Sequence, residues 1–255
     1  MAAFLIVSSL LFAASVTVTI VRTAAMSAMG AMPMPGGWTM SMAWMRMSDQ
    51  TWPGAASSFL GMWVVMMVAM MLPASLPTLW RYRQALRGKG VAHAGWLTAV
   101  VGLGYFFVWT ALGLIVFPIG AALAAIEMTS PALARAVPST VGVVTLIAGA
   151  LQFTAWKSRH LECCKDTPRP ERALPEDAIA AWRHGLLFGL HCGCSCAGLT
   201  AILLAVGVMD LRAMVIVAVA TTAERLAPGQ QVARAIGAVV VGIGLLLIAQ
   251  AASTV

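Results

Sequence analysis

Long apolar runs separated by short polar breaks make up most of the chain. They cover residues 2–21, 58–80, 95–120, 139–156, 185–208, 213–223 and 232–251. Apolar runs of roughly 18 or more residues are long enough to cross the hydrocarbon core of a bilayer. The pattern predicts an all-α, polytopic transmembrane helix bundle of about seven spans. Six is the alternative, because the first and sixth runs carry the weakest pattern. The first run has no Lys or Arg before its core and no clear small-residue cleavage site, so it is expected to be an uncleaved span rather than a signal peptide. Pro73 and Pro77 fall late in the second run; each removes a backbone donor and is expected to kink or end the helix. The chain thus divides into a first span (1–21), a Met-, Gly- and Pro-rich loop (22–57) and a bundle (58–251) containing a polar loop at 157–183. No internal repeat is visible, so an inverted-repeat transporter is not predicted.

Composition agrees with this pattern. The chain of 255 residues is 60% hydrophobic and 10% charged, with a mean hydropathy of +0.89; soluble domains average about a quarter charged. A net charge of +7 would suggest nucleic acid in a soluble protein. No basic-aromatic motif supports that here, and the basic residues sit in short loops, where they set orientation. Placing the amino terminus in the cytoplasm puts most Lys and Arg inside and leaves Arg22, Arg46, Arg135 and Arg212 outside. The same choice puts Trp80, Trp96, Trp156 and Trp182 at the inner interface, as an aromatic belt requires. A multi-pass protein of the inner (cytoplasmic) membrane is the expectation.

This topology sorts the sulfur by side. The outer loop carries Met26, Met29, Met32, Met34, Met40, Met42, Met45 and Met47. Met62, Met66 and Met70 form a stripe down the second span, with Met67 and Met71 beside it, and Met209 and Met214 flank a later outer turn. All five cysteines, Cys163, Cys164, Cys192, Cys194 and Cys196, fall on the inner side or in the inner half of the membrane. Thioether needs no deprotonation and forms no disulfide, whereas thiols persist only in reducing surroundings. Cu(I) is the ion that both ligand types select together. Zinc is the alternative, although it has little use for methionine.

The densest chemistry is His191-Cys192-Gly-Cys194-Ser-Cys196 inside an apolar run. Polar groups at such positions are costly and usually functional. On a regular helix Cys192 and Cys196 share a face while Cys194 points away, and His184 and His191 share another face near Ser195. Cys192 and Cys196 with help from other spans are therefore expected to hold the ion, and Cys194 joins them only if the helix is distorted near Gly193. His160 with Cys163 and Cys164 forms a second candidate that can hold or hand over an ion. Glu224 is a ligand, a proton acceptor or simply a partner of Arg225 at the interface. Blander roles exist for each group. Methionine fills core gaps, buried thiols behave as small hydrophobes, and the Met-rich loop with Trp38, Trp44 and Trp52 can lie on the bilayer surface.

Three stretches resemble one family. They are Met62-Trp-Val-Val-Met66-Met67-Val-Ala-Met70-Met71-Leu-Pro73, then 152–164, then His191 to Cys196 with the apolar stretch that ends near Glu224. Together they resemble an uncharacterised bacterial family described as predicted metal-binding integral membrane proteins. That resemblance implies a membrane-embedded metal site and brings no reaction with it.

The expected function is handling of a soft metal ion, Cu(I) before zinc, by transport or by delivery to a donor or acceptor protein. A membrane redox or enzyme subunit is the second class. It is less favoured because the chain has no CxxC pair, haem-attachment motif, nucleotide loop or serine–histidine–acid arrangement. An assembly subunit with a structural metal is the third.

Overall fold

The computed structural model describes residues 2–28, 30, 32–46, 50–165 and 177–253. These contain eight α-helices: α1 (Ala2–Ala28), α2 (Trp52–Gly88), α3 (Ala94–Thr129), α4 (Pro131–Leu151), α5 (Ala155–Lys165), α6 (Ala178–Val206), α7 (Leu211–Leu226) and α8 (Gln231–Ser253). The protein is an all-α bundle. Six helices, α1, α2, α3, α4, α6 and α8, are long and apolar enough to cross a membrane. The expected sixth span corresponds to α7, whose 16 residues give a length of about 24 Å. It falls short of the span length that the other six reach.

The helices run back and forth between two ends. At one end, Phe4 of α1 packs on Trp80 of α2 with ring centroids 5.5 Å apart, and Arg83 sits over the same ring. Arg81, Arg87 and Lys89 belong to this basic end. At the other, Met-rich end, the expected loop is partly ordered. Met32–Pro33 pairs with Thr39–Met40 in a small hairpin, turned by Gly36 and Gly37 at φ of 103° and 77°. Trp38 Nε1 donates to Ala134 O at 2.8 Å, tying the hairpin to α4.

Two further expectations meet a different structure. α2 does not end at Pro73 or Pro77 but continues to Gly88. The proline-bearing stretch is packed in protein, with Leu72, Ala74, Ser75 and Leu79 buried, and neighbouring helices can hold a backbone that has lost a hydrogen bond. The polar loop expected from Lys157 begins instead as helix. After a turn at 152–154 the chain forms α5, which folds back onto α6 and buries Lys157, Leu161 and Cys164.

Caps and small residues fix α6, the helix that matters most. Asp177 accepts from Ala180 N at 2.6 Å to start it, and Gly207, at φ 136°, ends it. Gly185 and Gly189 let α3 approach closely. A Cβ on Gly189 would lie 2.9 Å from Tyr105 O, and one on Gly185 would overlap Val101 O. Small residues at such crossings bring helix backbones together, which here places Tyr105 beside Cys192.

Candidate metal centre

Cys192 and Cys196 lie one helical turn apart on the buried face of α6. Their sulfurs are 3.9 Å apart, and the residues are 0% and 1% exposed. Both sulfurs at about 2.3 Å from one ion would be ~3.8 Å apart in a tetrahedral site and ~4.6 Å apart in a linear one. The observed spacing lies within that range and is far from the ~2.05 Å of a disulfide. Tyr105 Oη lies 2.9 Å from Cys192 Sγ, while Cys196 Sγ donates to Cys192 O at 2.7 Å.

The methionines of α2 face the same place. Met66, Met67, Met70 and Met71 are buried in the core that contains Cys164, Cys192 and Cys196. Met62 is half-buried and packs on its edge. Among the described residues no group of three or more His, Cys, Asp or Glu side chains converges on a metal position. The chemistry offered is therefore a thiol pair in one core with four buried thioethers. That donor set suits a soft ion satisfied by few strong ligands better than zinc, which takes four nitrogen, sulfur or oxygen ligands in structural sites.

The other sequence candidates divide into those brought near and those left apart. Cys194 is half-buried and lies off the Cys192/Cys196 face, as helical spacing requires. His191 is drawn to α5, its ring centroid 5.5 Å from that of His160, and Trp156 packs edge-on to His160. His160 Nδ1 is buried and has no hydrogen-bond partner. Burial, His191 and Arg159 hold the His160 pKa below its ordinary value. His184 does not join His191; it stacks on Tyr82 with centroids 5.4 Å apart, towards the basic end. Cys164 Sγ lies 3.8 Å from Ser195 Oγ, and burial pushes its thiol up to about 12. Cys163 beside it is exposed.

At the Met-rich end, Met40 is buried, Met45 half-buried, and Met42 lies in a 3-10 turn. Met29 and Met47 lie outside the described residues. A cavity of about 1080 Å³ opens there, lined among others by Met26, Met40, Trp44 and Met209.

Sequence reasoning singled out Glu224 but missed Lys157 and the burial of Arg225. Glu224 pairs not with Arg225 but with Lys157, at 2.6 Å, with both side chains almost fully buried. The reason is that α5 folds inward, which carries Lys157 from its expected loop to the end of α7. Lys157 Nζ also donates to Ser195 O, between the two cysteines in sequence. Arg225 is 9% exposed, and its Nε, Nη1 and Nη2 make no hydrogen bond of ordinary geometry. The guanidinium lies over Phe188 at 5.7 Å and couples electrostatically to Cys192, Tyr105, Cys164 and Cys196. The available sequence signal was the Glu224-Arg225 dipeptide closing an apolar run, where charges are expensive.

No curated protein and no solved structure matches the chain. A family model described as PpoB2, copper chaperone, matches residues 60–247. This match takes in α3, α4, α5, α6 and α7 whole, with most of α2 and α8, and so includes both cysteine groups and the α2 methionines. The chain belongs to the PpoB2 copper chaperone family.

Proposed function

We propose that the protein is an integral membrane copper chaperone that binds one Cu(I) between Cys192 and Cys196, with α2 thioethers completing or feeding the site. The observation that carries this reading is a pair of buried sulfurs 3.9 Å apart in one core with Met66, Met67, Met70 and Met71. Thiolate and thioether ligands together select the monovalent ion. The Met-rich end faces the outer compartment of the inner membrane, and the basic end, with the amino terminus, faces the cytoplasm. Met40, Met42, Met45 and Met47 gather copper at the outer end. Cys164, Cys163 and His160 take it over from the central pair at the inner end.

Two openings favour movement of the ion over permanent storage. Val116, Leu204 and Leu211 line the cavity at the Met-rich end and pack on the sulfur-containing core. A cleft of about 50 Å³ at the basic end is lined by Pro77, Thr78, Arg81, Cys164 and Arg225. Delivery to an acceptor protein is the function, and net transport is the competing one.

The test is copper analysis of protein purified in mild detergent under reducing, copper-replete conditions. Wild type is expected to retain about one copper per chain, as a single two-cysteine site holds, and Cys192→Ala/Cys196→Ala to retain none. Metal-free wild type would falsify the reading. In proteoliposomes the protein is expected to bind Cu(I) without accumulating it in the lumen; uptake abolished by the double substitution would make it a transporter.

A further inference from the structure

Among the described residues, the buried charges around the cysteine pair do not balance. Lys157 and Glu224 neutralise one another at 2.6 Å. Among the described residues Arg225 is left without a carboxylate partner: it is 9% exposed, its three nitrogens make no hydrogen bond of ordinary geometry, and the group that meets it is the Cys192 thiol. Guanidinium stays charged in proteins, and a buried charge without a counter-ion is strongly unfavourable. Among the described residues, the ionisable groups that act on it most strongly are Cys192, Tyr105, Cys164 and Cys196. Arg81 shares the cleft beside Cys164 but is exposed, so water screens it. Glu162, two residues before Cys164, is exposed and accepts from Gln230 at 3.1 Å, and Asp166, two residues after it, lies outside the described residues.

Metal ligands of this kind bind as thiolates. Two thiolates around a monovalent ion carry one net negative charge. Two thiolates around a divalent ion carry none. In this site the first arrangement, together with Arg225, is neutral, and the second leaves one uncompensated positive charge in a water-excluded core.

We propose that Arg225 is the charge-compensating residue of the Cys192/Cys196 site, and that it makes the site prefer Cu(I) to divalent Zn(II). It is a positioning residue, acting through charge and not as a ligand. The inference rests on the proposed copper site and adds the basis of its selectivity. The geometry supports it in a second way. Arg225 follows Glu224 directly, and the Glu224–Lys157 pair anchors that turn of α7 to α5 and, through the Ser195 carbonyl, to α6. The guanidinium is thereby held against the thiols rather than left to reach solvent.

The experiment is a pair of chelator competitions in detergent, one with Cu(I) and a Cu(I)-specific chelator, the other with Zn(II) and a zinc chelator. They are run on wild type, Arg225→Met and Arg225→Lys, each checked for monodisperse elution. Arg225→Met is expected to lower the ratio of Cu(I) to Zn(II) affinity at least about 30-fold, the equivalent of the lower bound for truncating one partner of a buried charge pair. Arg225→Lys keeps the charge and should retain most of the ratio. A merely structural role would weaken both metals alike and leave the ratio unchanged, which overturns the proposal while the copper site stands. Should Arg225→Met fail to fold, Arg225→Gln against Arg225→Lys reads the same ratio. Wild type that binds no Cu(I) removes the site and this inference together.

Discussion

The two sulfur regions of this protein sit in different electrical surroundings. The α2 methionines, Met66, Met67, Met70 and Met71, are packed among Phe59, Trp63, Trp109 and Leu203. The cysteines on α6 and α5 share that core, but on their side lie Lys157, Glu224, Arg225 and Tyr105. Ligand chemistry accounts for the difference. A thioether binds a metal without losing a proton, so it creates no charge and needs no counter-charge. A thiol must lose its proton to ligate, and the charge it gains in a water-poor core has to be balanced there. On the proposed reading, the buried ionic groups mark where the thiols hold the metal, and the uncharged thioethers of α2 complete or feed that place.

The hardest test of this comparison removes the ionic frame. Glu224→Gln leaves Lys157 buried without its carboxylate and is expected to destabilise the protein by about 3–5 kcal/mol, the usual cost of breaking a buried pair from one side. Thermal melting in detergent reads it. Lys157→Met/Glu224→Leu removes both charges and should recover most of that loss. If the double variant is as unstable as the single one, the pair acts through shape, and the electrical contrast between the two regions is wrong. Copper binding by the double variant should weaken without being lost, because both thiols remain while Arg225 loses the frame that holds it beside them.

An intermediate effect is expected on the thioether side. Met66→Leu/Met70→Leu conserves volume, so stability should fall by less than about 1.5 kcal/mol per site. Cu(I) affinity should drop roughly tenfold, since the two thiolates stay as the strong ligands and soft thioethers only complete the set. Chelator competition measures it. Unchanged affinity would reduce the α2 stripe to core packing, the ordinary role of methionine, and leave the two thiols to act alone.

Legibility in the sequence followed the same division. The spanning helices were legible because apolar length is a local property; only α7, at 16 residues, fell below span length. The Cys192/Cys196 pairing was legible because residues one turn apart on a helix must share a face. What depends on how helices pack against each other was not. Lys157 looked like one more basic loop residue, and only the fold-back of α5 turns it into the partner of Glu224. His184 and His191 share a helix face, yet Tyr82 takes one and His160 the other. Tyr105 carries no sequence signal at all, and it reaches Cys192 because Gly185 and Gly189 let α3 close on α6.

The smallest effect should come from the far end. Met40 is buried in the hairpin and lines the large cavity with Met26 and Met209, well separated in the chain from the ionic cluster. If the Met-rich end only gathers copper, Met40→Leu/Met45→Leu should leave the equilibrium affinity of the Cys192/Cys196 site unchanged within about twofold, because no ligand of that site is altered. The change should appear instead in the rate of loading at limiting Cu(I), slowed a few-fold, because fewer soft ligands await the ion at the entrance. Stopped-flow loading monitored by Cu(I)–thiolate absorbance separates the two quantities. A loss of equilibrium affinity equal to that of Met66→Leu/Met70→Leu would mean that hairpin and α2 form one continuous ligand set. The boundary between gathering and holding would then have to be moved outward from the cysteines to the hairpin itself.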